Sequence, residues 1–171
     1  MVGLPFGVTR TVAGMEPPGM AVPPGWYVAC FSSELRRKPL ARTLWGIPMV
    51  LFRAADAAPV ALLDRCPHRN VPLSCGAVKG GLLECCYHGW RFDAAGACRA
   101  IPGLDDGEVT GRRAHRAPSY PVREQDGLVW VARPPAEPAT TEPYRPPHLH
   151  DPRYTTVRRH VRFYRHGQIS S

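Results

Sequence analysis

Short apolar runs broken by turn residues recur through residues 26–133, and their pattern predicts strands rather than long helices. The first, Trp26-Tyr-Val-Ala-Cys-Phe31, is aromatic and β-branched. Thr43-Leu-Trp45 and Pro48-Met-Val-Leu-Phe-Arg53 follow, separated near Gly46; between them and the first run lies a polar segment, 32–39, with one helical turn expected around Glu34. The run 48–52 is apolar at every position, which predicts a strand covered on both faces. A turn at 56–59 leads into Val60-Ala-Leu-Leu-Asp64, and Lys79-Gly-Gly81 predicts a hairpin turn into Leu82-Leu-Glu-Cys85. Trp90-Arg-Phe-Asp93, the turn Ala94-Ala-Gly96 and Cys98-Arg-Ala-Ile101 form a further hairpin. After a charged loop at 102–114, Pro121-Val-Arg-Glu124 and Gly127-Leu-Val-Trp-Val-Ala-Arg133 complete the set. Many short strands at close spacing predict an all-β fold: an antiparallel β-sandwich with a smaller lobe.

The flanks differ. Residues 1–24, rich in Pro and Gly, predict a flexible N-terminal extension, with Met15 and Met20 as alternative starts to Met1. Seven Pro in 134–152 predict an extended linker that forms no core. Alternation resumes in 153–171: Val157, Val161 and Phe163 fall on one side, and Arg158, His160, Arg162 and Tyr164 on the other. That predicts a strand needing a sheet to join. At 171 residues and 44% hydrophobic content, the chain suits one domain plus a fragment of a second, with the folded domain at 25–133. Neither a signal peptide nor a membrane span is visible, which points to the cytoplasm.

The formal charge of +8 is compatible with nucleic acid, a membrane surface or an acidic protein. No nucleic-acid-binding motif accompanies it, and although Tyr154, Phe163 and Tyr164 interleave with basic residues, stacking platforms come with a dedicated fold. An acidic redox partner fits better, since electrostatic steering speeds short-lived encounters.

Six Cys in so short a chain could indicate disulfides, but four lie within 66–86 beside His, which favours metal. Cys66-Pro-His68 and Cys85-Cys-Tyr-His88 each offer one thiolate and one imidazole, with sixteen residues between the clusters. Zinc accepts two Cys and two His, but its finger pattern places Cys with Cys and His with His. The alternating order suits an asymmetric [2Fe-2S] centre with both Cys on one iron and both His on the other. With its Gly89-Trp90 continuation, the stretch closely resembles the Rieske motif of the Rieske non-haem iron (ring-hydroxylating) oxygenase large subunits.

That resemblance implies one Rieske [2Fe-2S] cluster held by Cys66, His68, Cys85 and His88, on a small metal-binding lobe built from two ligand loops. The neutral imidazoles make reduction of the His-bound iron easier than in an all-Cys cluster and predict a pH-dependent midpoint potential. Pro67 is expected to stiffen the first loop, Gly89 to let backbone pass close, and Trp90 to keep water away; Gly76 and Gly89 are expected to free N–H groups for the sulfurs. Where the respiratory form of the motif carries a disulfide, this chain has Val71 and Tyr87, and Trp90 replaces a Ser. Those departures place the potential in the lower part of the Rieske range. Cys86 is expected to be a small buried thiol, and Cys30, Cys75 and Cys98 packing residues.

The same resemblance implies a reductase or ferredoxin donor and, as acceptor, a mononuclear non-haem iron in a catalytic domain or neighbouring subunit of a homo-oligomer. Such iron is held by two His and a carboxylate. Neither His148, His150 and Asp151 nor His160 and His166 has the expected spacing, so that iron is expected in a missing or separate catalytic domain. The remaining possibilities are a free-standing Rieske ferredoxin, usually shorter, and a colourless zinc module.

Overall fold

The computed structural model describes residues 22–104, Val109, 115–133 and 142–159. Residues 1–21 of the predicted extension, most of the charged loop, the start of the linker and residues 160–171, with His160 and His166, lie outside the described residues.

Among the described residues, eleven strands form three antiparallel sheets. The first joins β1 (Gly25–Phe31), β11 (Leu128–Arg133) and β10 (Val122–Gln125) in the order β1-β11-β10. The second runs β2 (Leu40–Leu44), β3 (Ile47–Arg53), β4 (Pro59–Leu63), β9 (Ser119–Tyr120). The third runs β5 (Ala77–Lys79), β6 (Leu82–Glu84), β7 (Arg91–Phe92), β8 (Cys98–Ala100), with the 3-10 turn at Leu73–Cys75 just before it.

The continuous apolar run of β3 has its reason in the second sheet's central position. Successive strand side chains point to opposite faces. Val50 and Phe52, with Val60 and Leu62 of β4, pack into a core shared with Leu73, Leu83, Trp90 and Phe92 of the third sheet and its loops. Met49 and Leu51, with Ala61 and Leu63, pack into a second core with Val129 and Val131 of β11 and with Tyr120. Each fully buried Leu, Met or Phe contributes about 1.5–3 kcal/mol, so both faces of this sheet hold the molecule together.

Tight turns set the registers. Gly80 and Gly81 both have positive φ (57° and 77°), as do Asp126 and Gly127 (57° and 75°), the pattern whose twist matches a two-residue hairpin. Trp45, expected in a strand, also sits at positive φ (54°) in the turn after β2, its ring edge-on to Tyr27 at 5.3 Å between centroids. Across the third sheet, Glu84 of β6 takes Lys79 of β5 at 2.6 Å and Arg91 of β7 at 2.7 Å, which holds its carboxyl below the usual range.

Beyond β11, the described connector folds back on the β10–β11 turn, where His150 meets Asp126 at 2.8 Å and Arg145 meets it at 3.4 Å. Residues 153–159, expected to begin a strand, run without strand pairing. Alternation alone does not make a strand; it requires backbone pairing to an edge, and 153–159 make none among the described residues. Instead Leu149, Val157 and Arg158 line a cavity of about 600 Å³ against Val28, Leu128 and Trp130 of the first sheet. Among the described residues, no helix is long and apolar enough to cross a membrane.

Candidate metal centre

Two loops at one end of the third sheet carry the four ligand candidates. The first leaves β4 through Asp64; the second is the β6–β7 connection. In the first loop the Cys66 N–H donates to Val71 O at 2.8 Å and the Asn70 N–H to Cys66 O at 2.8 Å, closing it around Pro67 and His68. In the second the Cys85 N–H donates to Trp90 O at 2.8 Å and the Gly89 N–H to Cys85 O at 3.1 Å, with Gly89 at φ 68°. The Gly76 N–H donates to Leu73 O at 3.0 Å. Both glycines' own N–H groups are therefore taken by carbonyls.

The candidates arrive as two unlike pairs. Cys66 and Cys85 are 2% and 3% exposed, inside the core shared by the second and third sheets. Burial first, and then the neighbouring Cys85 thiol, push the Cys66 thiol above its ordinary value. His68 and His88 are exposed, with Nδ1 atoms 3.0 Å apart and ring centroids at 4.7 Å. Loss of solvent, then electrostatic interaction with His88, Arg69 and His115, lower the His68 pKa and favour the neutral ring, whose Nδ1 lone pair can bind metal. No three Cys, His, Asp or Glu among the described residues converge as a single-ion site. This donor set fits a two-metal cluster better than one tetrahedral zinc: two thiols together within the protein, two imidazoles together at its surface.

Trp90 flanks the imidazole pair. It is 8% exposed, and its ring lies parallel to His68, 2° between planes and 4.7 Å between centroids. Tyr87, 60% exposed, tilts over His88 at 3.8 Å. Pro67 is half-buried within the first loop.

Two contributors had no signature at the level of spacing. His115 packs edge-on against Trp90, at 4.7 Å between centroids and 63° between planes. The buried Asp64 accepts the Ser74 N–H at 2.7 Å and the Ser74 hydroxyl at 2.6 Å, tying the start of the first loop to the 3-10 turn at its end. A carboxylate two residues before Cys66, after an apolar strand, was the available clue to the latter. The other thiols divide. Cys30 and Cys98 are buried as expected, whereas Cys75 and Cys86, expected to be buried, are exposed because both sit where loops leave the third sheet. His148 pairs with Asp151 on the connector, and His150 with Asp126 of the β10–β11 turn.

The family profile described as the Rieske [2Fe-2S] domain matches residues 25–121. The oxygenase component of dicamba O-demethylase from Stenotrophomonas maltophilia is 42% identical over 135 residues, covering 77% of this chain and 38% of that protein. The 4beta-methylsterol monooxygenase of Methylococcus capsulatus is 42% identical over 119 residues, 68% of this chain and 31% of that protein. Among solved structures, dicamba monooxygenase bound to dicamba superposes with a TM-score of 0.66 at 40% identity, covering 78% of this chain and 42% of that one. This chain thus spans well under half the length of these relatives. The chain belongs to the Rieske [2Fe-2S] domain family, whose cofactor is a [2Fe-2S] cluster.

Proposed function

We propose that Cys66 and Cys85 hold one iron and His68 and His88 the other, and that this chain is the electron-relay part of an oxygenase component. When bound, the cluster supplies one-electron oxidation and reduction. It would relay single electrons from a reductase or ferredoxin to a mononuclear non-haem iron outside the described residues. The observation that carries this reading is the segregation of donors, with buried thiols on one side and converging imidazole Nδ1 atoms at the surface on the other.

The chain's own residues then have distinct tasks. The two thiols, inside the core, supply negative charge where water cannot compete. The imidazoles face solvent, the side on which an electron can enter or leave over a short distance. Trp90 excludes water along one face of His68, and the Asp64–Ser74 bonds hold the first loop in shape. Exposed Arg65 and Arg69 flank the same loop, and with the net charge of +8 they favour an acidic donor protein. The greater length of the relatives favours a component of a larger oxygenase, with 134–152 as linker and a further domain or neighbouring subunit as acceptor, over a free-standing ferredoxin.

The test is anaerobic reconstitution with iron and sulfide, followed by electron paramagnetic resonance of the reduced protein. The expected signal has a g average below that of all-Cys clusters, and it disappears in Cys66→Ser and in His88→Ala. An all-Cys-type signal, or a colourless protein that takes one zinc in preference to iron, would overturn the assignment.

A further inference from the structure

Trp90 makes two ring contacts among the described residues, and they differ in kind. The first is with His68, whose ring is parallel to the indole within 2°. The second is with His115, edge-on at 63° and 4.7 Å between centroids. Only the second comes from outside the two ligand loops. The segment that carries His115 is fixed by the β7–β8 hairpin: Ala97 bridges to Arg116, the Ala117 N–H donates to Gly96 O at 2.9 Å, and Arg116 Nη2 donates to Ala95 O at 2.9 Å. The approach is close, since a Cβ on Gly96 would lie 2.0 Å from the Ala117 carbonyl oxygen. Trp90 directly precedes β7, so one hairpin holds the indole at its base and, through its turn, the imidazole that meets it.

The Trp90 carbonyl accepts the Cys85 N–H at 2.8 Å, which fixes the backbone but not the rotation of the indole about its side-chain bonds. Contacts with the ring itself must set its plane. His68 is the group to be oriented, so His115 is the fixed reference of the two. Its Nδ1 is buried and meets no hydrogen-bond partner among the described residues, so nothing at that nitrogen draws the ring toward another neighbour. Edge-to-face aromatic pairs have a preferred geometry, which an aliphatic side chain of similar size does not impose. We propose that His115 is a positioning residue: its edge-on contact keeps the Trp90 indole parallel to His68 and so fixes the plane in which the His68 ring presents Nδ1. The proposal rests on the reading of His68 as an iron ligand. His115 acts in it by the shape of its ring, so another flat ring can take its place.

The test is electron paramagnetic resonance and redox titration of the reconstituted full chain, wild type against His115→Ala, His115→Leu and His115→Phe. Without the ring edge the indole and His68 can turn, so His115→Ala should shift and broaden the g values and move the midpoint potential. An edge-to-face pair is worth enough to change an equilibrium about two- to tenfold, and loss of the visible chromophore under chelator should quicken by about that factor. His115→Leu, which fills the space without a flat edge, should change the signal in the same direction and serves where His115→Ala does not load. His115→Phe should restore the wild-type signal, potential and chromophore lifetime. Val129→Ala, in the second core, is the control: it should lower the melting temperature and leave the signal unchanged. A wild-type signal that His115→Ala and His115→Leu leave unaltered would overturn this proposal alone. So would His115→Phe behaving like His115→Ala, or Val129→Ala reproducing the same changes. A wild type without the low-g signal would instead overturn the relay reading, and the proposal with it.

Discussion

Gly76→Ala adds one methyl group at the narrowest point of the ligand lobe. Gly76 has φ −86° and ψ −154°, which any residue adopts, so the backbone conformation itself is not the obstacle. The added Cβ would lie 1.9 Å from the Glu84 carbonyl oxygen and 3.0 Å from that of Leu73. A carbon meets a carbonyl oxygen comfortably at roughly 3.3 Å, so β5 and β6 must part by over an ångström. Both obstacles are backbone and cannot swing aside, so the cost belongs near the top of the roughly 1–3 kcal/mol seen for overpacking. The reduced freedom of Ala in the unfolded chain offsets only about 0.4–1 kcal/mol. A net loss of about 2 kcal/mol lowers the melting temperature by roughly 8–16 °C for a domain of this size. The strain falls next to Cys85, so iron and sulfide per purified chain should drop as well. Gly103→Ala, at φ 86° but facing open space, is the control: it should cost about 1 kcal/mol and leave the iron content unchanged. Calorimetry and iron analysis of both variants read the difference. If Gly76→Ala keeps wild-type iron and melts within a degree or two of wild type, the close approach does not shape the lobe.

Legibility in the sequence followed the range of the interaction. The unbroken apolar run of β3 already implied two covered faces, because strand alternation leaves no other use for Met49, Val50, Leu51 and Phe52 together. Gly80-Gly81 announced its turn by composition. Trp45 did not, because a residue of high strand propensity is held at positive φ by the turn and by its contact with Tyr27, and propensity reports only the local preference. The thiols and imidazoles were legible as clusters because ligand spacing is local. Their separation into a buried pair and a surface pair was not, since it depends on which loop face the second sheet covers. His115 meets Trp90 only after the chain has passed through β8 and the following loop, and no spacing rule spans that distance. The strand expected over 153–159 shows the converse: the pattern was present, but the segment pairs with no strand edge among the described residues.

Asp64→Ala leaves the Ser74 N–H and hydroxyl without their acceptor and should cost about 1–3 kcal/mol in urea unfolding; a change below the error of the fit would mean that water replaces the carboxylate. Trp90→Ala should cost about 3–5 kcal/mol and shorten the lifetime of the visible chromophore under chelator, and an unchanged lifetime would remove its shielding role. Arg65→Glu with Arg69→Glu should slow reduction by an acidic donor about tenfold at low salt, with the difference fading as salt rises; a salt-independent effect would argue against steering. Glu124 offers a test of how the first and second sheets are joined. Its carboxylate faces Arg53 of β3 through two hydrogen bonds, one of them 2.9 Å from Arg53 Nη2 to Oε1, and Arg53 also donates to Leu35 O at 3.1 Å. Chiefly through Arg53, the Glu124 pKa is held at about 2 rather than the ordinary 4.5. Unscreened, that difference corresponds to about 3 kcal/mol, but the pair is partly exposed and solvent leaves about 1 kcal/mol. Because the folded value is the lower one, the contribution is full above pH 4.5 and is lost as pH falls toward about 2. Wild type should therefore exceed Glu124→Gln by about 1 kcal/mol at neutral pH, with the gap closing through that acid window. A gap that stays constant across the window would mean that Glu124 acts through shape and hydrogen bonding, which Gln shares, rather than through its charge.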